Sequence, residues 1–158
     1  MFECVLPDPA ELRRLDDAAL ATAIAESTRI TAAAEARTSA GIAELVRRRV
    51  VDEHPDWACD DWDACAAEVS CVLTVSSGRA SGLMGDAIAL RDKLPAVGAL
   101  HLAGELSAYA ASVICNRTAL VTDPVALAAV DADIAAAASR FGPLSKYKLE
   151  KAVDAIVE

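Results

Sequence analysis

From Asp16 and Asp17 to about Val51, apolar residues recur at roughly helical spacing, and this long run constrains the fold more than any other feature. Leu20, Ile24, Ala34, Ile42, Leu45 and Val46 mark the stripe. Arg47, Arg48 and Arg49 close it, where cations favour the negative pole of a helix dipole. Thr38-Ser39-Ala40-Gly41 is a candidate interruption. Uninterrupted, such a helix is long for a globular domain and points to packing against another long helix or a partner chain. Hydrophobic residues make up 54% of the chain and aromatics only 4%, the excess being largely alanine. Alanine loses no side-chain entropy in a helix, so packed helices are expected rather than a sheet.

The breakers divide the rest. Pro7 and Pro9 flank Asp8, an N-cap for a short helix at residues 10–15. Residues 52–63 read as an acidic connector. Asp60 or Asp61 can cap a helix through Leu73, followed by a break at Thr74-Val75-Ser76. Ser76 or Ser77 starts the next helix, through Leu90. Pro95 ends it and opens a helix to Ala103. Gly104-Glu105-Leu106 is a turn, and Ser107 caps a helix to about Leu120. Asp123-Pro124 opens an alanine-rich helix to Arg140, which Gly142-Pro143 breaks. Leu144-Ser145 begins the last helix, with Leu149, Val153 and Ile156 on one face. The expected fold is all-α: a multi-helix bundle of about seven helices in one domain. Its parts are an N-terminal arm (1–51), the connector (52–63) and a helical core (64–158).

Charge limits the partners. The net charge is −9. Residues 52–76 hold seven acids and no Lys or Arg, whereas the segments on either side are each close to neutral. A phosphate-binding protein usually shows a basic face, and no third of this chain has one. The five cysteines form no CxxC, so free thiols in a reducing cytosol are expected. Cys71 and Cys115 lie among apolar neighbours, which predicts buried, inert thiols. There is no signal-peptide pattern and no apolar run near the ~18–20 residues of a membrane span, so a cytoplasmic protein is expected.

Candidate sites are few. The twelve residues Asp52 to Asp63 have the length of a calcium loop. Trp57 stands where that loop needs glycine, so a solvated linker is the better reading, and neither metal nor cofactor is expected. His54 and His101 are the two histidines, and neither has a paired ligand four residues away on the same helical face, Glu105 falling in the turn. Residues 66–90 have the pattern of a helix-turn-helix, in which Ser77, Gly78, Arg79 and Ser81 open the second helix. Arg79 is the residue able to grip guanine in a bidentate way, with Arg91 and Lys93 as phosphate contacts. An ordinary helical hairpin with a serine cap has the same pattern.

Several strings recur in order from about Asp63 onward: Ala67-Glu68-Val69, Val75-Ser76-Ser77-Gly78-Arg79-Ala80-Ser81-Gly82 and Ala89-Leu90-Arg91-Asp92-Lys93-Leu94-Pro95. Arg117 to Asp123, Val130-Asp131, Pro143-Leu144-Ser145, Lys148-Leu149 and Val153-Asp154 follow. Together they resemble the 13E12 repeat family of high-GC bacteria, whose N-terminal region is known as domain of unknown function 222. Full-length members are similar to HNH endonucleases and carry the HNH module at the C-terminal end. The resemblance implies a non-catalytic accessory or interaction domain, with the chain stopping before the nuclease module. The partners expected are a protein, or a second copy through the N-terminal helix, and weakly DNA. Two alternatives remain: a helix-turn-helix DNA binder, and a truncated remnant of a longer HNH endonuclease-like protein.

Overall fold

A computed structural model describes residues 7–51, 60–138, 141 and 144–157. The elements run α1 (Pro9–Leu12), α2 (Asp17–Arg49), α3 (Asp61–Leu73), α4 (Ser77–Ile88), a π-turn (Ala89–Lys93), α5 (Pro95–Leu102), α6 (Ala108–Thr118), α7 (Pro124–Ala138) and α8 (Lys146–Val157). The described residues contain no strand. The all-α expectation holds, and most helices begin where a local cap dictates. Asp8 and Glu11 form a reciprocal capping box. Asp16 accepts from the Ala19 N–H at 2.8 Å, Asp60 from Asp63 at 2.7 Å and Asp123 from Ala126 at 2.7 Å. Ser76 and Ser107 cap α4 and α6 in the same way.

Three features depart from the sequence reading. Thr38-Ser39-Ala40-Gly41 does not interrupt α2, because flanking residues on both sides are packed: Ala36, Ile42 and Ala43 are buried. The buried stripe of α2 is Ala32, Ala36, Ile42, Ala43 and Val46, so Ile24 and Ala34 lie outside it and are exposed. The helix expected through Leu90 ends at Ile88 and continues as a π-turn.

Two apolar clusters result. Ile42, Ala43 and Val46 of α2 pack with Cys65, Ala66 and Val69 of α3 and with Ala80, Met84 and Ala87 of α4. The second cluster gathers Leu90, Leu94 and Val97 with Ile114, Ile134 and Val153 from α6, α7 and α8. The π-turn joins them: Leu90 faces the second cluster, while the Arg91 guanidinium donates to the Ala43 carbonyl of α2 at 2.7 Å. Gly104 pins the start of the α5–α6 turn against α2. Its φ is +76°, and a Cβ there would lie 2.4 Å from the Arg29 carbonyl oxygen.

Candidate functional site

The α3–α4 hairpin is built by its own turn. Thr74 adopts a left-handed conformation, φ 57° and ψ 44°. That conformation costs a β-branched residue about 1–2 kcal/mol. Hydrogen bonds offset it. The Val75 N–H donates to the Ser70 carbonyl at 3.1 Å, and the Ser70 hydroxyl donates to the Val75 carbonyl at 2.6 Å. The turn leaves Ser77, Gly78 and Arg79 exposed on the first turn of α4.

The five residues read as DNA contacts divide. Ser77 and Arg79 face solvent. The Ser81 hydroxyl is half-buried and accepts from the Trp62 indole N–H at 2.8 Å, which ties α3 to α4. Arg91 is held by Ala43 and by a two-pronged pair with Asp92 at 2.7 and 2.6 Å, so its guanidinium straps the π-turn to α2. Lys93 is exposed, and it lines a cleft with Asn116 and Leu127 rather than with Arg79. The structure therefore does not gather the five on one surface.

Arg79 meets a different set. It lines a cleft of about 510 Å³ together with Tyr109, Arg117 and Lys146, residues brought from α6 and α8. Most of this charge is compensated. Arg117 forms a bidentate pair with Asp154 at 2.5 and 2.7 Å, and Lys146 lies 3.8 Å from Glu150. Asp86 lies beneath Arg79. Burial pushes its carboxyl up, although the Ser112 hydroxyl, donating at 2.6 Å, and Arg79 both pull it down.

Other residues act in ways local patterns do not show. Asp131 of α7 is buried and accepts from the Ala96 and Val97 N–H groups at 2.8 and 3.0 Å. It thus caps α5, whose own N-cap residue Leu94 offers no side-chain acceptor. His101 is buried, its Nδ1 2.7 Å from the Leu106 carbonyl oxygen. Burial pushes the Cys115 thiol up to about 12 and raises Cys65 as well. Cys71, expected to be buried, is exposed: α3 turns Cys65 and Val69 inward and Cys71 outward. His54 lies outside the described residues. Among those described, no three His, Cys, Asp or Glu side chains gather as a metal site, and no helix is long and apolar enough to cross a membrane.

Comparison with known proteins places these features in a family. Residues 26–158 match the model of a domain of unknown function, DUF222. The chain belongs to the DUF222 family. The match starts inside α2, so α1 and the first turns of α2 precede the DUF222 segment. Over 159 aligned residues the chain is 53% identical to uncharacterized protein Rv2100 of Mycobacterium tuberculosis (strain ATCC 25618 / H37Rv). It is 52% identical to uncharacterized protein Rv3776 of the same strain and to an uncharacterized Mycobacterium tuberculosis protein of the est 3' region. All of this chain is covered in each case, but only 29%, 30% and 45% of those relatives. The chain thus spans less than half the length of these relatives. No solved structure matches.

Proposed function

We propose that this DUF222 chain is a non-catalytic helical interaction module, an accessory part of longer HNH-nuclease-like proteins, and that it docks through α2 onto a second copy of itself. One observation carries the reading. α2 has 33 residues, and its buried residues all lie from Ala32 onward. The preceding part, residues 17–31, would run for about 22 Å. A helix of that length is marginal in water unless a face is covered. Ile24 is 61% exposed there, at the edge of a groove of about 370 Å³ lined by Leu12, Ala23, Thr28 and Ala32. The flanking alanines let a second helix approach closely. Charge favours an antiparallel copy: Asp17 and Arg29 lie at opposite ends of the arm, so each would meet the other residue of its partner. The non-catalytic part rests on the Cys65 and Cys115 thiols, which burial pushes toward the unreactive form, and on the structural engagement of Arg91 and Asp131.

Sedimentation equilibrium of the chain and of Ile24→Glu tests the docking. The expected result is a dimer for the parent at micromolar concentration and a monomer for the variant. Two monomers, or two equal dimers, would contradict it. Robust cleavage of duplex DNA with magnesium, manganese or zinc would overturn the non-catalytic reading. A second reading, DNA binding by the α3–α4 hairpin, is favoured by the exposure of Ser77, Gly78 and Arg79 beyond a fixed turn. It requires a mobility shift at low salt that Arg79→Ala weakens about fivefold or more.

A further inference from the structure

Where α2 crosses the π-turn and α5 there is a cavity of about 270 Å³, and beside it, mainly between α2, α4 and α6, one of about 190 Å³; the two share Ser39, Leu90 and His101. His101 is 3% exposed. The Leu106 carbonyl at its Nδ1 can only accept, so Nδ1 carries a proton and Nε2 of the neutral ring is left as an acceptor. Among the described residues, nothing donates to Nε2. Among the described residues, no fully enclosed side-chain nitrogen or oxygen lacks a partner, so the unpaired Nε2 keeps some open surface. The cavities are the space that His101 lines.

The wider cavity is walled by Ala36, Ala40 and Ala43 of α2 on one side and Leu90, Gly98 and Leu102 on the other. It is several times the volume of one water, and its walls give water few partners. The π-turn puts Leu90 in the wall of both cavities, and such turns recur at functional sites. The narrower cavity is the more polar, with Glu35, Thr38, Arg79, Asp86 and Ser112 in its wall. The wider one, a mainly apolar cleft in which Ser39, Arg91 and His101 are the polar members, has the usual form of a small-molecule site.

We propose that the wider cavity is a binding site for a small organic molecule with a flat apolar body and a single N–H or O–H donor aimed at His101 Nε2. The apolar body lies between the α2 alanines and Leu90, and the donor satisfies the open ring nitrogen. This site is independent of the α2 arm that precedes Ala32.

Titration of the ¹⁵N-labelled full chain tests it, with indole as probe and indene as the same shape without a donor. The work is done near pH 8, above the ordinary imidazole range of about 6.5. Indole is expected to move the amides of residues 36–43 saturably, together with the His101 Nε2 resonance. Indene is expected to bind several-fold to about tenfold more weakly, the size of one hydrogen bond. Ala40→Leu, at an exposed position on the rim, is expected to abolish the indole response while leaving the rest of the spectrum intact. The proposal is overturned by a non-saturating response, by an unmoved Nε2 resonance, by equal binding of indene, or by unchanged indole binding in Ala40→Leu.

Discussion

From Ala32 to Val46, α2 buries five residues against α3, α4 and α5, whereas from Asp17 to Thr31 the same helix buries none. Alanine is abundant in both halves, so composition does not separate them. What separates them is the neighbour. The second half lies over helices whose side chains meet its alanines at close range, while among the described residues the first half has Leu12 of α1 and Gly104 and Ser107 of the α5–α6 turn beside it. Propagation from a packed end lets an alanine-rich helix extend past its support, but the extension stays marginal until a second surface covers it. That is how one continuous element can belong to a core at one end and, as proposed above, to an interface at the other.

The contrast can be broken at the buried end first. Met84 is fully buried in the cluster beneath Ile42, Ala43 and Val46. Met84→Ala is expected to lower unfolding free energy by about 2–5 kcal/mol in a urea titration. Gly104→Ala strikes the last anchor before the arm, adding left-handed strain to a clash with the Arg29 carbonyl. About 2–4 kcal/mol is expected, with amide protection lost first around residues 32–36.

Asp86 probes the space under the buried half by pH. Its folded pKa is raised by burial, so the folded state holds the proton more tightly than the unfolded one. The resulting stabilisation is present at low pH and is lost as pH rises through the folded value. Asp86→Asn should therefore flatten the stability profile above the ordinary carboxylate range, as read from thermal midpoints. The smallest effect belongs to the exposed half. Ile24→Ala is expected to change monomer stability by no more than about 0.5 kcal/mol at dilutions where the chain is monomeric.

The helix starts were legible because caps are local. Asp8, Asp16, Asp60, Ser76, Ser107 and Asp123 each bond a backbone N–H two or three residues on, and the sequence shows both partners. The register of α2 was legible at its C-terminal end, where Ile42 and Val46 are buried as expected, but not before it. Alanine contrasts weakly with its neighbours, so a stripe drawn through Ile24 and Ala34 looked as good as the true one through Ala32 and Ala36. The π-turn was hidden for a related reason, since it is set by Arg91 reaching residue Ala43 in another helix. Asp131 appeared only as half of a Val-Asp string, because the N–H groups it caps lie 34 and 35 residues away. His101 could be dismissed as a lone histidine, and only the packed structure shows one ring nitrogen bonded and the other open.

Hydrogen exchange along α2 at two protein concentrations tests the division of this helix most directly. Residues 32–49 should exchange slowly and at the same rate in both samples, while residues 17–31 should exchange quickly when dilute and become protected when concentrated. Equal and concentration-independent protection along the whole of α2 would contradict a docking arm.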